Sequence, residues 1–80
     1  MDEQKRKNFD NLRPSQKVLY LLRSQESFGG PQSSRQMNEF LGLKKKNLDS
    51  VLSNLVKTYQ IERISLGVYR VRGDKREPEN

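Results

Sequence analysis

An 80-residue chain with 31 % apolar content and a formal charge of +6 has room for one small domain with a thin core. It contains neither cysteine nor histidine, which excludes a disulfide framework, thiolate and imidazole metal sites, and the usual nucleophile–base pairs of enzymes. No apolar run approaches the length of a signal h-region or a membrane span, so a cytoplasmic location is expected, with no membrane partner, no metal and no cofactor.

Apolar residues concentrate between Pro14 and Gly73; only Met1, Phe9 and Leu12 lie before that window and none lies after it. Residues 1–13 therefore read as a tail, flexible or partner-binding, with Phe9 and Leu12 available to a partner or to the core. Residues 74–80, "DKREPEN", read as a disordered charged tail, because they have no apolar surface to offset the entropy of ordering. The domain is expected over residues 14–73.

The first helix is predicted from about Ser15 to Ser24. Pro14 suits a first helical position, where a missing N–H costs nothing. Val18, Leu19, Leu21 and Leu22 supply an apolar face, and Tyr20 points aside. Gly29-Gly30-Pro31 cannot continue a helix, and Phe28 is expected to plug the core beneath this loop. Ser33 or Ser34 caps a second, two-turn helix, "RQMNEFL", with Met37, Phe40 and Leu41 on one face. Gly42 stands where a left-handed C-cap is expected, and Leu43 follows as a buried connector. A third helix runs from about Lys45 to Thr58, with Leu48, Val51, Leu52 and Leu55 at i, i+3, i+4, i+7. Its opposite face carries Lys45, Lys46, Asn47, Asp49, Ser50, Ser53, Asn54 and Lys57. Beyond it, "IERISLGVYRVR" turns to β-branched residues split by Gly67. That predicts a hairpin, about Glu62–Ser65 and Val68–Arg72, with Tyr69 and Val71 inward and Arg70 and Arg72 outward.

The window 14–73 holds ten basic and four acidic residues, so the whole +6 lies in the expected domain. Residues 44–73 alone hold seven basic groups against Asp49 and Glu62. A basic half on a small domain is the electrostatic footprint of a polyanion binder.

A short helix, a Gly-containing turn of about three residues and a second helix form a helix-turn-helix unit. "MNEFLGLKKKNLDSVLSNLVK" resembles the second and third helices of the winged helix-turn-helix DNA-binding domains, with Gly42 in the turn and Leu43, Leu48, Leu52 and Leu55 at core positions. "QIERISLGVYRV" resembles their wing, and "LRPSQKVLYLL" their first helix. The resemblance spans about Leu12 to Arg72 and implies an α+β fold of three helices with a C-terminal β-hairpin wing. Two residues depart from the family pattern. Asn38 stands where a small Ala is usual, which implies looser packing of the second helix on the third. Tyr59-Gln60 stand where Gly commonly follows the third helix, so that turn needs another C-cap.

The resemblance further implies sequence-specific binding of double-stranded DNA, with the recognition helix at about 45–58 in the major groove and the wing at 61–72 on backbone or minor groove. Lys44, Lys45 and Lys46 would meet phosphates as the helix enters. Three lysines at the mouth of a helix oppose its dipole, and phosphate would restore the balance. Asn47, Ser50, Ser53 and Asn54 are short hydrogen-bonding side chains on the groove side, Asn being suited to adenine, and Lys57 lies on the same face. Arg63 and Arg70 are expected on backbone or minor groove, and Arg35 near another phosphate at the start of the second helix. For Asp49, pairing with Lys45 or Lys46 is favoured over acceptance from cytosine N4.

The expected role is a small transcriptional regulator or a plasmid, phage or mobile-element DNA-binding factor, nucleoid-associated in a bacterial, archaeal or viral setting. A homodimer on DNA is expected, since one winged helix buries modest surface. One alternative is a winged-helix protein-interaction module without nucleic-acid binding, which requires an exposed apolar patch; Tyr20, Val56 and Tyr59 are its candidates. Another is RNA binding, which calls for exposed aromatics, whereas none of the six aromatics falls on the polar side of the third helix.

Overall fold

The computed structural model describes residues 9–76; what was expected of residues 1–8 and 77–80 lies outside them. Pro14 opens α1, Pro14–Arg23, and the Arg13 N–H donates to Gln16 Oε1 at 3.0 Å. A capping box opens α2, Ser34–Leu41: the Gln36 N–H donates to Ser33 Oγ at 3.1 Å, and the Ser33 N–H to Gln36 Oε1 at 2.9 Å. Gly42 closes it at φ 63°, a left-handed conformation that only glycine adopts without a Cβ penalty. The next helix, α3, Lys45–Lys57, starts from Lys44 with neither a side-chain cap nor an acid in its first turn.

Three strands form one antiparallel sheet in the order β1-β3-β2: β1 Gln32–Ser33, β2 Ile61–Ser65 and β3 Val68–Val71. From Pro14 to Val71 the fold is thus α+β, three helices and a C-terminal hairpin in a winged helix-turn-helix arrangement. The first strand was not expected. Two polar residues carry no readable period, and β1 exists only through its pairing, Gln32 with Tyr69 and Ser33 with Val68. The Ser34 N–H extends that contact by donating to the Gly67 carbonyl at 3.0 Å, which ties the hairpin tip to the start of α2. Gln32 is buried, and its amide is satisfied by the Phe28 and Gly30 carbonyls at 3.1 and 3.0 Å.

The core is Val18, Leu21 and Leu22 of α1, Met37 of α2, Leu48, Leu52 and Leu55 of α3, and Ile61 of β2. At about 1.5–3 kcal/mol for each fully buried aliphatic side chain, these contacts dominate the stability. Leu19, Phe28, Leu41, Leu43, Val51, Val56, Tyr69 and Val71 pack around them, half-buried. Phe40 departs from expectation. Met37 and Leu41 take the inward line of the short α2, so Phe40 falls on its flank, 54 % exposed, with its ring centroid 5.4 Å from that of Phe28. Phe28 is correspondingly a half-buried shelf, not a core plug.

Both departures from the family pattern have local causes. Asn38 braces the turn between α2 and α3: its Nδ2 donates to the Leu43 carbonyl at 2.7 Å while its Oδ1 accepts the Leu43 N–H at 2.8 Å. After α3, Tyr59 itself takes the left-handed position at φ 60°. The Gln60 N–H reaches the Leu55 carbonyl at 3.0 Å and the Tyr59 N–H the Val56 carbonyl at 3.1 Å, the paired bonds of a Schellman cap with tyrosine in the glycine position. That conformation costs a non-glycine residue about 1–2 kcal/mol. The Arg72 guanidinium lies 5.3 Å from the Tyr59 ring centroid, a cation–π contact that returns about 0.5–1 kcal/mol at an exposed site.

The domain also extends past Gly73. Arg76 donates to the Ser24 carbonyl at 2.8 Å and to the Leu22 carbonyl at 3.2 Å, capping the C-terminal end of α1, and pairs with Asp74 at 2.8 Å. The first residues of the expected tail are therefore part of the fold, held by backbone carbonyls instead of apolar burial. At the other end, Phe9 rests against Tyr20 with ring centroids 5.4 Å apart. No helix of the described residues is long and apolar enough to cross a membrane.

Candidate nucleic-acid interface

The helical period that buries Leu48, Leu52 and Leu55 turns Lys46, Ser50, Ser53 and Lys57 directly outward, at i, i+4, i+7 and i+11. Asn47 and Asn54 flank that stripe on one side, Lys45 and Asp49 on the other. All eight residues, with Lys44 before them, are exposed. Asp49, Ser50, Ser53, Asn54 and Lys57 line one shallow surface depression. Among the described residues, the side-chain hydrogen bonds around the helix are made by Asn38, Thr58 and Gln60, and the exposed Asn47, Ser50, Ser53 and Asn54 side chains make none there.

Lys44, Lys45 and Lys46 surround the uncapped amides of the first turn of α3, where unsatisfied N–H groups and side-chain charge have the same sign. Asp49 does not relieve them. The ion pairs among the described residues are Glu62–Arg70 and Asp74–Arg76, so the favoured pairing of Asp49 with Lys45 or Lys46 is not made. Being at the fourth or third position after those lysines, it has the less favourable order for such a pair. Instead Asp49 shares a groove between α2 and α3 with Ser34, Arg35, Asn38, Glu39, Lys45 and Leu48. Arg35 is exposed there, but Glu39 and Asp49 offset the positive charge of Arg35 and Lys45.

The two wing arginines separate. Register pairs Glu62 with Arg70 and Arg63 with Tyr69, so strand alternation puts Arg63 and Arg70 on opposite faces of the hairpin. Arg70 is half-buried and bonded through Nε to Glu62, whereas Arg63 is exposed on the face that Tyr69 shares, with only a long 3.4 Å bond to the Ser65 carbonyl. The wing is also short: a two-residue turn, Leu66-Gly67, with Leu66 87 % exposed.

The large apolar side chains exposed among the described residues are Tyr20, Phe40, Tyr59 and Leu66. Tyr20, Val56 and Tyr59 do not form one patch: Val56 packs on the core, Tyr20 meets Phe9, and Tyr59 meets Arg72. A different groove gathers Phe9, Tyr20, Phe28 and Phe40, with Asp10 and Glu39 at its rim. Tyr59 is 72 % exposed immediately past the last turn of α3. The signal for it in the sequence was the missing glycine after that helix.

Comparison of the chain with protein-family models, with curated proteins and with solved structures finds no match.

Proposed function

We propose that the chain belongs among the winged helix-turn-helix DNA-binding domains and binds double-stranded DNA, with α3 in the major groove. The observation that carries this reading is the outer face of α3: an exposed stripe of lysine, serine and asparagine that begins with three lysines around uncapped helix amides. Lys44, Lys45, Lys46 and Lys57 supply phosphate contacts, which set affinity and register. Asn47, Ser50, Ser53 and Asn54 supply donors and acceptors for base edges. On the wing, Arg63 approaches the backbone or minor groove, and Arg70 is held back by Glu62. The biological setting that fits is a small cytoplasmic transcriptional regulator or a plasmid, phage or mobile-element factor. Such a protein acts as a homodimer on paired half-sites.

Fluorescence anisotropy of a labelled duplex, titrated at low and at physiological salt, tests this. Binding is expected to weaken steeply with salt. Replacing Lys44, Lys45 and Lys46 together by Gln should lower the slope of log affinity against log salt by about 0.9 for each lysine that meets a phosphate. Absence of binding even at low salt would sink the reading and turn attention to the aromatic groove of Phe9, Tyr20, Phe28 and Phe40 as a protein-docking surface.

A further inference from the structure

Tyr59 holds a left-handed backbone at φ 60°, in the position where glycine completes this cap without strain. The residue is 72 % exposed, so little burial offsets the strain, and the Arg72 contact offsets only part of it. A tyrosine kept in a glycine position with its ring in water serves no packing role that glycine would not serve better. Strain of this kind collects where function demands it.

The surroundings say what the ring is offered to. Backbone bonds fix the pair: the Gln60 N–H holds the Leu55 carbonyl at 3.0 Å, and the Arg72 N–H holds the Gln60 carbonyl at 3.3 Å. These bonds hold the two backbones side by side, and the Arg72 guanidinium rests over the Tyr59 ring at 5.3 Å from its centroid. The carboxylates flanking the pair, Glu62 and Asp74, are engaged by Arg70 and Arg76, which leaves the Arg72 charge available to an anion. Lys57, exposed in the last turn of α3, adds a second cation two residues before the ring. An exposed aromatic ring with a guanidinium against one face matches a nucleotide whose base is unpaired: the base stacks on the other face and its phosphate meets a nearby cation.

We infer that Tyr59 and Arg72 form a stacking platform for an unpaired DNA base, at the C-terminal end of the helix proposed to lie in the major groove. The platform gives the protein a preference for duplex ends or opened sites over continuous duplex. This inference rests on the duplex-binding reading, and the experiment separates the two.

Anisotropy is measured at low salt with a blunt duplex, with the same duplex carrying a short single-stranded overhang of either polarity, and with the free single strand. Wild type is expected to bind one overhang duplex about tenfold more tightly than the blunt one, the scale of one base stacked on an aromatic ring. Tyr59→Gly is expected to abolish that preference and to leave blunt-duplex affinity unchanged. Its thermal midpoint should equal or exceed that of wild type, because the strain is gone, so loss of folding cannot mimic the result. Tyr59→Phe should keep the preference. Equal binding of blunt and overhang duplexes by wild type, or a preference that survives in Tyr59→Gly, overturns the platform while the duplex reading stands. Tyr59-dependent binding of the single strand without binding of the blunt duplex overturns the duplex reading while the platform stands. Binding to none of the three removes both.

Discussion

Asn38 holds the turn between α2 and α3 by bonding both the N–H and the carbonyl of Leu43, and Tyr59 completes the cap of α3 at the expense of strain. Neither role was legible, for the same reason. A side-chain amide whose partner lies five residues away, and a tyrosine that takes a left-handed φ, leave no periodic mark in the sequence. Asn38 read as a misfit for a small residue, yet its amide bonds both backbone groups of Leu43. Two half-buried hydrogen bonds contribute about 0.5–1.5 kcal/mol each, and alanine returns about 0.6 kcal/mol in helix propensity. Asn38→Ala should therefore destabilise by about 1 kcal/mol, which in a domain of this size lowers the thermal midpoint by about 4–8 °C. Thermal unfolding followed by circular dichroism reads this directly; an unchanged midpoint would mean that Leu43 is held by other contacts.

At the scale of elements, α3 was the most legible. Leu48, Leu52 and Leu55 recur at one helical period and are buried, so the polar residues between them had to face out. The hairpin was less so. Its strands followed from β-branched residues around Gly67, but its register was decided by the pairing of Ile61 with Val71 and by a bulge between Arg63 and Ser65. That register separates Arg63 from Arg70 and sets Arg70 opposite Glu62. A half-buried surface ion pair of this kind is worth on the order of 1 kcal/mol, enough to bias Arg70 away from a phosphate though not to lock it. Arg63→Gln is accordingly expected to weaken duplex binding by a larger factor than Arg70→Gln in the same anisotropy titration. Equal losses would show that the Glu62 pair opens on binding.

On the scale of the molecule, the chain closes on itself through Arg76, which reaches across to the Leu22 and Ser24 carbonyls at the end of α1. The same guanidinium, chiefly by its side-chain bonds, holds the Asp74 carboxyl below its ordinary value of 3.8. A carboxyl with a depressed folded-state pKa stabilises the fold above its ordinary value, and that stability is lost as pH falls through the folded value. Wild type should thus unfold at a higher temperature than Asp74→Asn near neutral pH, with the gap closing as the pH is taken below about 3.8. A gap that persists in acid would show that the Asp74 charge is not what secures Arg76.

What the sequence determined was the fold class, the three helices and the hairpin, because periodic burial is a local property that each segment displays by itself. It also determined that the net charge lies within the folded window. The tertiary structure alone decided how β1 forms, which side of the hairpin each arginine takes, that Phe40 leaves the core, and that Arg76 belongs to the domain. Each of these depends on a partner distant in the chain, and a pairing between distant segments is set by three-dimensional packing that no local pattern encodes.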